Sequence, residues 1–146
     1  MHYIGTMTDA KTISETCAMQ ALRGAARQAT RLYERALAPV GLTASQFTTL
    51  VALWRLGEAG PSALAEVILA DRTTMPRLLA PLERRGLVEG RPSDEDRRLR
   101  LMALTSEGRT LLEEAVPLWE AAQAEAAATL GKEWAALAER LSRIGG

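Results

Sequence analysis

The sequence has very little of the two residues on which most metal and acid–base chemistry depends. It contains one cysteine, Cys17, and one histidine, His2, in a segment that we expect to be frayed. A single cysteine excludes an internal disulfide framework and a cysteine-rich zinc site. Without a histidine in the folded part, Ser-His-Asp and Cys-His catalysis lack their general base. We therefore predict that the chain is not an enzyme and has no metal site.

Cofactor motifs, membrane-spanning runs and export signals are missing as well. No G-x-G-x-x-G or P-loop motif is present, so no cofactor is expected. No apolar run approaches the roughly 20 residues that span a bilayer, and residues 1–11 lack the basic cluster and apolar segment of a leader. The 146 residues suit one folded domain. We expect a soluble cytoplasmic protein that does not bind membranes.

The net charge is zero, but the charges are unevenly distributed along the chain. Residues 71–100 carry eight basic and six acidic side chains, whereas residues 101–146 carry four basic and seven acidic ones. Within ten residues the basic middle holds Arg91, Arg97, Arg98 and Arg100. Because guanidinium groups form paired hydrogen bonds with phosphate and guanine, nucleic acid stays a candidate partner.

Apolar periodicity predicts long helices at both ends of the chain. Over residues 12–38 apolar positions recur at steps of three and four, and arginines at every fourth residue, which predicts one long amphipathic helix. Thr43, with Gln46 three residues later, forms a capping box that opens a second helix. Thr105 or the next residue begins another long helix, which Gly131 ends before a short last one.

A helix-turn-helix followed by a hairpin is predicted in the middle of the chain. Pro61 or Ser62 starts a short helix, and Asp71 or Thr73 caps the next one, which Gly86 stops. Two strands and the polar turn between them follow at 87–91, 99–104 and 92–96. The predicted fold class is mainly α with a small β-hairpin wing, a winged helix-turn-helix.

The helices outside this unit predict an obligate-type homodimer. Residues 41–105 form the winged unit, and residues 1–40 and 106–146 supply dimerisation helices within the same compact chain. A first helix of about 40 Å is longer than a domain of this size can cover. A second copy related by two-fold symmetry would cover the surplus apolar surface. The interface residues that we expect are Leu118, Trp119, Leu137 and Leu141.

Six short motifs carry a resemblance to a known family. They are Gly41-Leu42-Thr43-Ala44-Ser45-Gln46-Phe47, Ala63-Leu64-Ala65-Glu66, Asp71-Arg72-Thr73-Thr74-Met75-Pro76-Arg77-Leu78-Leu79, Leu82-Glu83-Arg84-Arg85-Gly86-Leu87-Val88, Asp96-Arg97-Arg98 and Leu104-Thr105-Ser106-Glu107-Gly108-Arg109. From residue 17 to about 112 the chain thus resembles the MarR family of bacterial transcriptional regulators. The resemblance implies a dimeric DNA-binding protein that usually represses transcription and releases DNA on binding a small ligand or on oxidation.

The residues expected to contact DNA bases stand at the start of the second helix of the helix-turn-helix. A dimer places two such helices about one DNA turn apart, so we expect an inverted-repeat operator. Short polar and arginine side chains there are suited to reading base edges, and the chain offers Arg72, Thr73, Thr74 and Arg77. Alternatively, one of the threonines caps the helix, and Arg77 is merely solvated.

The wing carries a second set of candidate DNA contacts. The resemblance implies that Asp96, at the family's D-x-R spacing, holds Arg98 for entry into the minor groove, with Arg97 beside it. A solvated charged turn is the alternative.

Two prolines depart from the family's pattern. Pro76 is harmless only if the helix begins near residue 73, and Pro81 is expected to bend it.

The sequence allows two interpretations of the signal that releases DNA. Arg23 and Arg27 could hold the carboxylate of an aromatic acid, a small-molecule effector, in a pocket between the first, second and fifth helices. Alternatively, Cys17 is an oxidant-sensing thiol, although Met19 occupies the family's sensing position. A winged helix that binds proteins instead of DNA is a further alternative, against which exposed arginines on the wing would argue.

Overall fold

The structure, a computed structural model, describes residues 9–145 and consists mostly of helices. The helices are α1 (Ala10–Thr16), α2 (Ala18–Leu37), α3 (Ala44–Leu56), α4 (Pro61–Ile68), α5 (Met75–Arg84), α6 (Ser106–Leu130) and α7 (Trp134–Leu141). The strands are β1 (Glu58–Ala59), β2 (Val88–Pro92) and β3 (Arg100–Leu104), and two short 3-10 helices occupy Ala38–Val40 and Arg72–Thr74. The predicted fold class is confirmed. The segment with His2 lies outside the described residues.

The N-terminal helix is interrupted where the sequence predicted one continuous helix. At Cys17 the backbone becomes extended (φ −68°, ψ 109°), so that α1 ends and α2 begins there. No residue of α1 is buried, and its three hydroxyl-bearing residues have low helix propensity. Neither packing nor helix propensity therefore stabilises a continuous helix across Cys17. The 20 residues of α2 are about 30 Å long, shorter than expected.

The core of the chain forms around α3. The predicted capping box is present, because the Thr43 hydroxyl accepts a hydrogen bond from the Gln46 backbone N–H (3.1 Å) and the side-chain oxygen Oε1 of Gln46 accepts one from the Thr43 backbone N–H (3.0 Å). One face of α3 is fully buried, and its Leu50 and Leu53 pack into a single apolar cluster with residues of α4, α5, α6 and the sheet. This cluster fixes the helix-turn-helix on the long helices.

The sheet has one strand more than the sequence predicted. β2 and β3 form the expected antiparallel hairpin, from Val88 opposite Leu104 to Pro92 opposite Arg100. β1 pairs antiparallel with the other edge of β3, which gives the order β1-β3-β2. A strand of two residues is too short to show apolar alternation, so the sequence pattern could not reveal it.

The end of α5, the start of β2 and the start of α6 meet in one contact, which we call the α6 junction (residues 86, 87, 105 and 108). The Leu87 carbonyl accepts a hydrogen bond from the Thr105 N–H (3.1 Å). The Thr105 hydroxyl donates to the Gly86 carbonyl (2.6 Å) and accepts from the Gly108 N–H (3.0 Å). A Cβ at Gly108 would stand 1.9 Å from the Leu87 carbonyl oxygen, so only glycine permits this approach.

The turn between α4 and the 3-10 helix Arg72–Thr74 has an unusual backbone. Leu69 is the only non-glycine residue between 9 and 145 with a positive φ (56°), and its side chain is 94% exposed. The left-handed conformation costs an L-residue about 1–2 kcal/mol because Cβ crowds the carbonyl oxygen. The exposed leucine stabilises nothing within its own chain that would offset this cost.

Residues 9–145 contain neither a single helix that could span a membrane nor a cluster of metal-binding side chains. No single helix there is both long and apolar enough to cross a bilayer, and Ala18–Val40 with Ala44–Leu56 pass that test only together, across a 75° bend. The same residues contain no group of three histidine, cysteine, aspartate or glutamate side chains placed to hold a metal ion.

Replacing Gly108 with alanine should strongly destabilise the fold. The added Cβ would overlap a backbone atom, which can move only if the α6 junction opens. We expect a loss of about 2–4 kcal/mol in the free energy of unfolding, measured by urea denaturation. Gly24→Ala is the matched control. Gly24 lies inside α2 with open space around its Cβ position, so alanine there should stabilise the protein by about 0.5–1 kcal/mol. Equal stability of the two variants would contradict this account.

Candidate nucleic-acid interface

The recognition helix, α5, is fixed by one buried face and exposes the other. Met75, Leu79 and Leu82 are buried against the core. The residues that the sequence assigned to base contacts lie at the opposite face and in the 3-10 helix that precedes α5. Of these, Arg72, Thr73 and Arg77 are exposed and Thr74 is half-buried. The structure thus brings the four predicted residues together at the leading end of the helix.

The leading end of α5 is not capped by a threonine. Thr74 occupies the capping position without a side-chain hydrogen bond to the helix, and Asp71 likewise makes none at the 3-10 helix. Between residues 9 and 145 the hydroxyls of Thr73 and Thr74 have no hydrogen-bond partner, which leaves them free for a ligand. Pro76 is the second residue of α5, where no backbone donor is required, so it is harmless.

Pro81 lies inside α5, as the sequence required. It leaves the Arg77 carbonyl without its helical donor. The bend expected from this missing hydrogen bond stays a prediction.

The wing, residues 92–99, is a tight turn organised by two side chains. Ser93 is buried, and its hydroxyl accepts hydrogen bonds from the backbone N–H groups of Glu95 and Asp96. The Asp96 carboxylate accepts from both the backbone N–H (3.1 Å) and the Nε (3.3 Å) of Arg98. The Arg98 side chain is 93% exposed, and Arg97 is also exposed. The wing therefore presents two arginines to solvent, one of them oriented by a carboxylate.

Two other arginines of the basic middle are neutralised within the chain. Arg91 forms a paired hydrogen bond with Glu58 (2.9 and 2.6 Å), and this carboxylate raises the pKa of the arginine above its ordinary value. Arg100 forms the same kind of pair with Glu83, at the end of α5. These contacts tie β2 to β1 and β3 to the recognition helix. The sequence showed the cluster of arginines but not which of them have partners.

Arg85 connects the recognition helix to the N-terminal helices, a role that the sequence did not reveal. Its guanidinium donates to the carbonyl of Gly41 (2.8 Å) and, at 3.4 Å, to that of Val40. These carbonyls belong to the turn between α2 and α3. No local pattern could have indicated a contact across 44 residues of sequence.

A cavity of about 280 Å³ lies between α2, α3 and α6, at the place predicted for an effector; we call it the inter-helix cavity. Its lining residues are Ala29, Thr30, Tyr33, Leu37, Ala44, Phe47, Thr48 and Trp119. The Tyr33 hydroxyl donates to the side-chain oxygen of Gln123 (2.5 Å) and links α2 to α6 beside it. Arg23 and Arg27 are exposed, and neither is among the residues that line this cavity.

A second apolar depression, of about 510 Å³, lies between α2, the end of α6 and α7; we call it the terminal groove. Its lining residues are Leu22, Ala25, Ala26, Ala29, Leu130, Trp134, Leu141 and Ile144. Three residues that the sequence placed in the dimer interface also have contacts within the chain. Leu118 packs on the core and Trp119 lines the inter-helix cavity, whereas Leu141 lines the groove. Cys17 is half-buried at the junction of α1 and α2.

The helix-turn-helix of α4 and α5, followed by the β2–β3 hairpin, defines a winged helix-turn-helix protein. The model of the MarR family matches residues 42–99, which cover most of this unit. Together with the relatives described next, this match shows that the chain belongs to the MarR family.

The chain is similar to three proteins that bind DNA or regulate transcription. An organic hydroperoxide resistance transcriptional regulator of Bacillus subtilis is 30% identical over 97 residues, which are 66% of each chain and so just under two thirds of that protein. The M. tuberculosis regulator MosR, solved in complex with DNA, is 39% identical with a TM-score of 0.80, over 88% of this chain and 93% of that one. Bordetella bronchiseptica BpsR, whose DNA binding is regulated by 6-hydroxynicotinic acid, is 27% identical with a TM-score of 0.82, over 89% and 94%.

Proposed function

We propose that this chain is a DNA-binding transcriptional repressor that binds an inverted-repeat operator as a homodimer. The observation that carries the proposal is the position of four exposed arginines. Arg72 and Arg77 lie at the leading end of α5, the part of a recognition helix that meets base edges in the major groove. Arg97 and Arg98 lie at the tip of the wing, where a narrow minor groove would attract them. The DNA complex of MosR supports the same use of the fold.

The pairing of the remaining arginines favours DNA over a protein partner. Glu58 and Glu83 each bind one arginine, Arg91 and Arg100, at the end of the hairpin next to the wing. The wing tip still exposes Arg97 and Arg98, of which, among residues 9–145, only Arg98 contacts a carboxylate, through a single oxygen of Asp96. A surface for a protein partner has no need to concentrate exposed arginines at both the recognition helix and the wing tip. A duplex offers phosphates and base edges to both places at once.

Removing these arginines should weaken binding in two distinguishable ways. Arg98→Ala should weaken binding to every duplex and reduce the salt dependence of the affinity by about one phosphate contact. Arg77→Ala should reduce the binding free energy for the selected duplex by about 1–3 kcal/mol and relax the sequence preference. Fluorescence anisotropy with a duplex selected from a random pool, repeated from 50 to 300 mM salt, measures both effects.

The control for this experiment removes an arginine without changing the net charge. The double variant Glu58→Gln/Arg91→Gln removes a paired arginine together with its carboxylate, and it should leave the salt slope unchanged. Parental binding by Arg98→Ala would contradict the assignment of the wing. A parent protein whose duplex binding is insensitive to salt would contradict DNA binding itself.

The homodimer follows from the terminal groove. In one chain the apolar side chains of α7 and of the residues just after it are incompletely covered, since Leu137 and Ile144 are exposed to solvent. A contiguous apolar depression built from both ends of a chain is typical of an interface, and two-fold symmetry would place the same groove on both copies. Leu137 lies on the same face of α7 as Trp134 and Leu141, one helical turn from each.

A charge placed at Leu137 should therefore dissociate the dimer. We expect Leu137→Glu to sediment as a monomer of about 16 kDa at micromolar concentration, because a buried unpaired carboxylate is strongly unfavourable. Leu56→Glu is the control, since Leu56 is exposed to the same extent (38%) but lies at the end of α3. A dimeric Leu137→Glu protein, or a monomeric parent, would show that the groove is not the interface.

The inter-helix cavity is where a small effector would act on both the long helices and the winged unit. Phe47 and Trp119 supply aromatic walls, and Tyr33 and Gln123 supply a hydrogen-bonding edge. Because the residues that line it include no arginine or lysine, we replace the expected aromatic acid by an uncharged aromatic molecule with a hydrogen-bonding group.

The nature of the signal can be tested with a matched pair of compounds. Salicylamide should release the duplex at a lower concentration than salicylate, and Tyr33→Phe should reduce the effect of salicylamide, both measured by anisotropy. Release by salicylate alone would restore Arg23 and Arg27 as candidates.

Cys17→Ser tests the rival oxidation signal. If the parent releases DNA on peroxide treatment and Cys17→Ser does not, the thiol and not the cavity senses the signal.

A further inference from the structure

The left-handed residue Leu69 lies in the turn of the helix-turn-helix, immediately before the recognition segment. Its φ of 56° is strained for a leucine, and its side chain is almost completely exposed. The main-chain hydrogen bonds of the turn, from Leu69 N–H to Glu66 and from Ala70 N–H to Ala65, hold this conformation. Glycine would satisfy the same backbone without strain and without exposing an apolar side chain. The leucine therefore needs an explanation outside its own chain.

We infer that Leu69 makes an apolar contact with DNA beside the recognition helix, through either a thymine methyl group or deoxyribose carbons. This inference rests on the proposed function. Leu69 precedes Arg72 by three residues, so the two Cα atoms are at most about 11 Å apart. If the leading end of α5 meets base edges, the same stretch of duplex lies within reach of the leucine side chain.

The surroundings of Leu69 favour DNA over a second copy of the chain. The terminal groove, where the partner copy is proposed to bind, is formed by α2, α6 and α7, and none of its lining residues belongs to the helix-turn-helix. The exposed side chains next along the chain from Leu69 are Asp71, Arg72 and Thr73, at the start of the recognition segment. An apolar side chain beside base-reading groups is suited to the C5-methyl of thymine, which distinguishes that base in the major groove.

The test compares Leu69→Gly and Leu69→Asn with the parent in stability and in DNA binding. Both replacements tolerate a left-handed backbone, so both free proteins should melt at a higher temperature than the parent. Both should nevertheless bind the duplex selected by the parent about fivefold more weakly. Leu56→Asn, at an exposed leucine outside the helix-turn-helix, should bind as the parent does. A gain in stability combined with a loss of affinity is the signature of a strained contact residue.

Replacing each thymine of the duplex in turn by uracil distinguishes the two sources of the apolar contact. If one substitution weakens the parent about as much as Leu69→Gly does, and has no further effect on that variant, Leu69 contacts a thymine methyl. If no uracil substitution matters while both variants still bind weakly, the contact is to deoxyribose. Both outcomes support the inference.

Three results would overturn the inference. If both Leu69 variants bind the duplex as tightly as the parent, this inference is wrong, whereas the proposed DNA binding by the arginines of α5 and the wing is unaffected. A parent that binds no duplex would overturn the proposed function together with this inference. Lower melting temperatures for both variants would show that the side chain stabilises the fold, and would also contradict it.

Discussion

The contact between the Leu87 carbonyl and the first turn of α6 is the constraint on which the rest of the molecule depends. Thr105 donates hydrogen bonds to the carbonyl groups of Gly86 and Leu87, which follow the recognition helix α5. Gly108 has no side chain, so the backbone of α6 can lie directly against the Leu87 carbonyl. Because β2 starts at the same point, the recognition helix, the wing and the long helix α6 are fixed to one another over a few residues. A shift of α6 therefore moves both candidate DNA-contacting elements together.

Carboxylates decide which arginines of the winged unit are available to a ligand. Asp96 orients an exposed arginine through one carboxylate oxygen, whereas Glu58 and Glu83 each engage a guanidinium with both oxygens and hold it against the sheet. Exposed ion pairs of this kind contribute little to stability, about 0–1 kcal/mol each. Their consequence is spatial, because they hold Arg91 and Arg100 against the sheet, whereas the arginines at the leading end of α5 and at the tip of the wing are not held by both oxygens of a carboxylate between residues 9 and 145.

The parts of the fold that the sequence predicted are those set by neighbouring residues. The capping box at Thr43, the cap at Thr105 and the break at Gly131 each depend on groups within four positions along the chain. The Asp96–Arg98 hydrogen bond is local in the same way. The break at Cys17 was missed, because the periodic pattern continues through it and only the lack of packing on α1 shows that the helix stops. Arg23 and Arg27 do not line the inter-helix cavity, and a stripe of arginines on a helix does not say which side of the helix faces a cavity.

By itself the sequence determined the order of the helices, the hairpin, the family and the residues at the leading end of α5 and at the wing, since hydrophobic period, caps and short motifs are local properties. Only the tertiary structure decided the strand β1, the clamp of Arg85 on Gly41, the neutralised arginines and the uncharged lining of the inter-helix cavity. Each of these joins residues far apart in the chain, and their meeting depends on how the whole core packs. The strain at Leu69 belongs to the same class, because its left-handed backbone is imposed by the geometry between α4 and α5.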